Sequence, residues 1–155
     1  LLSSLDCYAS EDARADLESG HVDDRLVDAL LALIWGHEIA ISVIKTGHPL
    51  GPAAPSGREN DHFFYRAADI VAVDGRPVAD DPVSPGLLDV GRLLHALPPG
   101  IRPHRIFGPA RWHQALGHSP ADGFISDPFH DDIHADHLHL GYERETHPLI
   151  CEHGR

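Results

Sequence analysis

The segment 136–142, DHLHLGY, constrains this chain more than any other. Side chains alternate between the two faces of a strand. His137 and His139 therefore share one face, and Leu138 and Leu140 share the other. A strand of this kind needs an apolar core behind it and a polar cleft or solvent in front. Two imidazoles side by side suit zinc, which binds His nitrogen at about 2.0–2.1 Å. Two solvent-facing histidines are the alternative reading, and the segment alone does not separate them.

The rest of the chain supplies material for such a core. Residues 10–19 predict a short helix with Ser10 as N-cap, Glu11 and Asp12 at its positive end and Gly20 as its stop. Residues 22–38 predict the strongest helix, because Leu26, Leu30, Leu33 and Ile34 recur at helical spacing. IAISVIK (39–45) is short and β-branched and predicts a buried strand. Residues 46–61, with three prolines and three glycines, predict a long loop. A strand, an Asp-Gly turn and a return strand are expected over 69–78. Residues 86–97 predict a second amphipathic helix. Short strands are expected at 104–108 and 123–126, a short helix at 110–117, and an acidic, His-rich loop at 127–135. Helices come first and strands cluster later. That order predicts an α+β fold, a small mostly antiparallel sheet with N-terminal helices packed on it, as one domain over residues 1–155.

Composition narrows the function. The formal charge is −12, which argues against nucleic acid and anionic membrane as partners, since both need a basic patch. The imbalance is local: residues 58–111 hold seven of the arginines, so an anionic group could still find a positive site. No apolar run approaches the roughly eighteen residues of a membrane span. Cys7 and Cys151 lie near opposite ends, and termini of a domain are often close. A disulfide and two unrelated thiols are both open readings.

A second segment, HFFYRAAD (62–69), adds a histidine and a carboxylate. His62 and Asp69 are seven apart, so they cannot share a face of one straight strand. They can converge if His62 sits in a loop and Asp69 begins the strand. One carboxylate with two imidazoles makes a three-ligand zinc site with its fourth position open, the arrangement of catalytic rather than structural zinc.

HFFYRAAD followed by a distal DHLH resembles the zinc peptidases that include D-alanyl-D-alanine carboxypeptidases and dipeptidases, phage endolysins and the hedgehog signalling domain. Their pattern is Ser-x-His-x-x-Gly-x-Ala-x-Asp and a later strand ending in the last metal ligand. Over 60–69, His62, Ala67 and Asp69 match, while Asn60 stands for Ser and Tyr65 for Gly. The Gly-to-Tyr change implies either a different turn or a ring packed over the site. The resemblance implies a zinc-peptidase (hedgehog/DD-peptidase-like) fold with Zn2+ held by His62, Asp69 and His139. It offers two designs for the catalytic base. Asp136, three before His139, fits the acidic design. His137 fits the His-x-His design, and strand parity favours it. The expectation carried forward is Asp136 as base with His137 in support. Where the family places an Arg after the strand at 39–45, this chain has His48, so His48, Arg58 and Arg66 are the candidates for holding substrate.

The resemblance further implies hydrolysis of short peptide bonds, those of peptidoglycan stem peptides, and a place in the cell envelope or outside the cell. Two other readings remain open. One is a catalytically silent zinc module that binds a peptide or cell-wall fragment, because fold and metal do not guarantee turnover. The other is an α+β domain with many surface histidines and no metal.

Overall fold

The computed structural model describes residues 7–145. The fold is α+β, with strands in the order β1-β2-β3-β6-β5. β1 (Cys7–Ala9) runs parallel to β2 (Ile39–Val43), and every other pairing is antiparallel. β3 (Ala67–Val73) lies at the centre, between β2 and β6 (Leu138–Gly141). The two-residue β4 (Arg76–Pro77) returns from β3 through Asp74 and Gly75. Both turn residues have positive φ, 52° and 74°, the backbone of a two-residue hairpin whose twist matches its strands. β5 (Arg105–Phe107) forms the far edge.

Local signals place the helices. α1 (Glu11–Glu18) begins where the Ser10 hydroxyl accepts the Ala13 N–H. α2 (Asp24–Ile34) begins where the Asp23 carboxylate accepts the Arg25 N–H. α3 (Pro85–Ala96) has proline in its first turn, where a missing N–H costs nothing. The buried faces of α2 (Leu26, Leu30, Leu33) and α3 (Leu87, Val90, Leu94) join Ile39, Ile41, Ile70, Leu138 and Leu140 from the sheet in one core. Trp112 of α4 (Ala110–Leu116) is fully buried there, and its indole N–H donates to the Leu87 carbonyl. No helix among the described residues is long and apolar enough to cross a membrane.

Three expectations change. Residues 127–135 are not a loop: α5 (Pro128–Ile133) occupies them, capped by Asp127, whose carboxylate accepts the N–H groups of Phe129 and His130. The strand expected at 123–126 is a single bridge, Phe124 to Ile106. The strand Cys7–Ala9 was not foreseen. Cys7 itself is buried, and its suggested partner Cys151 lies outside the described residues.

Candidate metal centre

Register brings the first two donors together. Asp69 of β3 pairs directly with His139 of β6, while the flanking pairs Ile70–Leu138 and Ala68–Leu140 face the core. Residues opposite each other on neighbouring strands share a face, so carboxylate and imidazole emerge side by side. Their row continues to Phe107 on β5.

His62 reaches the same point from a 3-10 turn, Asp61–Phe64, just before β3. Asn60 caps this turn: its side-chain oxygen accepts the His62 N–H, and its amide nitrogen donates to the carbonyls of Leu50 and Gly51. It performs the capping task a serine would. Tyr65 ends the turn with φ 59° and ψ 30°, the left-handed conformation that glycine adopts at no steric cost. Tyr65 takes that conformation while carrying a full side chain. The Tyr65 ring packs against His21 and under the Lys45 ammonium and does not line the cleft.

The three donor atoms form a nearly equilateral triangle. His62 Nε2 lies 3.1 Å from His139 Nδ1 and 3.2 Å from Asp69 Oδ1, and His139 Nδ1 lies 3.3 Å from Asp69 Oδ1. Bonds of about 2.0–2.1 Å in a tetrahedron place ligand atoms about 3.3–3.4 Å apart, so the triangle has the size of one face of a zinc site. All three residues are buried. His62 Nδ1–H donates to the Ile44 carbonyl at 2.6 Å, which leaves a lone pair on Nε2. Behind His139, Gly141 leaves no room for a side chain: a Cβ there would come within 2.7 Å of His139 Nε2 and 2.6 Å of Asp61 Oδ2.

The charge states of Asp69 and His139 fit a cation, whereas the raised pKa of His62 means that a cation has to displace its second proton. Burial pushes the Asp69 pKa up, but the imidazoles of His139 and His62 beside it outweigh that effect and hold the carboxyl well below its usual range. Burial lowers the His139 pKa and keeps the ring neutral. Burial also opposes charge on His62, but Asp69 prevails and raises its pKa. Ionised carboxylate and neutral imidazole are the forms metals bind. By distance, His62 and Asp69, with either His139 or His48 as the second imidazole, make a His-His-Asp group able to coordinate a divalent ion.

His48 stacks on His62 with ring centroids 4.2 Å apart, and its donor atom lies within 4.8 Å of those of His62 and Asp69. Proximity alone would admit it as a ligand, but its hydrogen bonding does not. Nδ1 accepts the Leu50 N–H at 3.2 Å, so in the neutral ring Nε2 carries the hydrogen. Neither nitrogen has a free lone pair, and burial, reinforced by the charge of His62, lowers its pKa and favours that neutral ring.

The triangle lies in a cleft of about 690 Å³ that His48, Arg58, His134 and His137 also line. Asp136 and His137 stand together beside the triangle. The Asp136 side chain is 74% exposed and hydrogen-bonds His137 Nδ1 at 2.7 Å, while His137 Nε2 stands 3.7 Å from Asp69 Oδ1. Arg58 is an exposed part of the cleft wall. Arg66 is not in that wall: it is buried, pairs with Glu59 and lies over the Phe64 ring.

Sequence reasoning missed Asp61 and Arg105. The Arg105 guanidinium grips Asp61 with two bonds of 2.6 and 2.7 Å, both residues buried, and it reaches Glu143 at 2.9 Å. This pair ties the His62 turn to β5. The alternation Arg105-Ile106-Phe107 carried the signal, since it places Arg105 and Phe107 on the cleft face. His134 was also missed. Its Nδ1 bonds the His130 carbonyl and its ring stacks on Phe107, and burial lowers its pKa to about 4. No protein-family model matches this chain, nor does any curated protein or solved structure.

Proposed function

We propose that the chain is a zinc peptidase that cuts short peptide bonds. The observation that carries this reading is the tetrahedron-sized triangle of His62, Asp69 and His139 at the floor of an open cleft, with a His–Asp dyad beside it. Bound zinc would supply Lewis acidity, polarising a carbonyl and lowering the pKa of water.

The chain's own groups divide the remaining work. His137 directs Nδ1–H at Asp136, so the neutral ring offers a lone pair on Nε2 to the cleft. Nε2 takes the proton of the attacking water and returns it to the leaving amine, and the Asp136 carboxylate steadies the imidazolium between the two transfers. His48, stacked on His62 in the cleft wall, offers Nε2–H to the substrate oxygen as negative charge develops there. Arg58 stands at the rim for a substrate carboxylate. A peptidoglycan stem peptide as substrate, and a place in the cell envelope or outside the cell, are supported by the resemblance of HFFYRAAD and DHLH to zinc peptidases.

The test is His137→Ala in zinc-loaded protein, assayed on short acylated peptides. The expected result is retained zinc with activity lost by at least the roughly 100-fold that a general base contributes. Loss of zinc would make His137 a ligand, and unchanged activity would remove it from the mechanism.

A further inference from the structure

The geometry points to a binding subsite, formed by Phe129 and Ile133 of α5, that takes a bulky apolar side chain on the leaving-amine side of the cut bond. This inference rests on the zinc-peptidase reading alone: stem peptides carry no large apolar side chain, so it puts another class of peptide in place of peptidoglycan.

Three of the exposed large apolar side chains, Leu50, Phe129 and Ile133, line the cleft. Phe129 is 61% exposed and Ile133 51%, and both line the same cavity as the donor triangle. They are four residues apart, on one face of α5. The adjoining face of α5 is fixed: His130 stacks flat on Phe107, with centroids 4.5 Å apart and planes 3° from parallel, and His134 stacks on it at 4.7 Å. The apolar wall is therefore held in place by the strand that pairs with His139. Leu50, 40% exposed, lines the other side of the cleft. The floor is polar, and Phe129, Ile133 and Leu50 add apolar surface to a wall that also carries Arg58.

The position of the dyad gives the wall its side of the substrate. The His137 ring contacts His134, the residue that caps α5, at 4.9 Å. His137 is the group that returns a proton to the departing nitrogen, so that nitrogen must lie on the α5 side. The side chain next to it then meets Phe129 and Ile133. A methyl group is too small to cover both, whereas a leucine or phenylalanine side chain would bury them. The peptide favoured here therefore carries a large apolar residue on the amine side of the bond. A hydrophobic pocket of this kind discriminates by roughly 10- to 200-fold.

The experiment uses zinc-loaded protein carrying His137→Ala, so that peptide is bound and not consumed. Calorimetry compares acylated dipeptides ending in phenylalanine and in alanine, each in both configurations. The expected result is at least tenfold tighter binding of a phenylalanine peptide, with the preference reduced to less than threefold by adding Phe129→Ala and Ile133→Ala. These two side chains are exposed, so their removal spares the core. Equal affinity for the two peptides, no binding of either, or a preference that survives both substitutions would each overturn the subsite. Metal content of the parent, measured alongside, separates the two claims: zinc held without a preference defeats the subsite alone, and no zinc defeats the peptidase reading beneath it.

Discussion

Two clusters of histidine and aspartate flank β3, and their hydrogens tell them apart. Beyond the end of the strand, His37 lies between two carboxylates, Nδ1 2.8 Å from Asp74 and Nε2 2.7 Å from Asp89. Both ring nitrogens face acceptors, so the protonated ring has a partner for each hydrogen and the cluster is complete without a ligand. Burial opposes that charge, but the two hydrogen bonds outweigh it and raise the His37 pKa. Near the start of the strand the balance is reversed. His62 has committed its ring proton to Ile44, and its Nε2, Asp69 Oδ1 and His139 Nδ1 converge as acceptors on one point. The first cluster is a clamp between α2, the β3–β4 turn and α3. The second is a cradle for a cation. Residue type is the same in both, and only the destination of each proton distinguishes them.

The largest way to break the comparison is to remove what supports the cradle. Arg105→Ala leaves the Asp61 carboxylate buried without its partner and should cost about 3–5 kcal/mol of folding stability. Urea denaturation measures it, and a loss under about 1 kcal/mol would mean the pair does not hold the His62 turn. Next comes metal itself. Zinc at a hundred times its dissociation constant should stabilise the fold by about 2.7 kcal/mol. A thermal scan with and without chelator reads this, and His37→Ala should leave the increment intact. Gly141→Ala should push the His139 ring from behind and weaken zinc by roughly 10- to 100-fold, as loss of other supporting contacts does. Competition with a chromophoric chelator checks it, and unchanged affinity would show that the ring has room to move.

The smallest effect belongs to the clamp. A raised histidine pKa contributes stability that is fully present below the unfolded value, about 6.5, and is lost as pH rises through the folded value. The parent should therefore exceed His37→Gln in stability at pH 5.5 by up to about 1 kcal/mol for each pair, and the difference should shrink toward pH 8. A difference independent of pH would show that His37 holds its place as a neutral hydrogen-bonding group. His113 has the opposite sign: burial lowers its pKa, so its neutral ring contributes above about pH 6.5 and that contribution is lost as pH falls toward the folded value.

Much of the framework was legible because its signals are local. Ser10 caps α1, the leucines of α2 recur at helical spacing, Asp74 and Gly75 make the hairpin turn, and the parity of 137–140 places histidines and leucines on opposite faces. The convergence of His62 with Asp69 needed a turn whose cap is Asn60 and whose left-handed residue is Tyr65, neither of them the residue type that announces such a turn. α5 was hidden for a different reason. Its packing face is His130 and His134 on Phe107, which reads as polar in a count of apolar residues although the rings stack as aromatics. Arg105 with Asp61 joins positions forty-four residues apart, and only register reveals it.

The central claim is that the unbalanced cluster, and not the balanced one, holds zinc. Elemental analysis of untagged protein, purified without added metal and again after reconstitution, tests it most directly. The account predicts about one zinc per chain in the parent and in His37→Ala, and none in His62→Ala or His139→Ala. A parent that takes up no zinc after reconstitution, or zinc retained by both His62→Ala and His139→Ala, would contradict it.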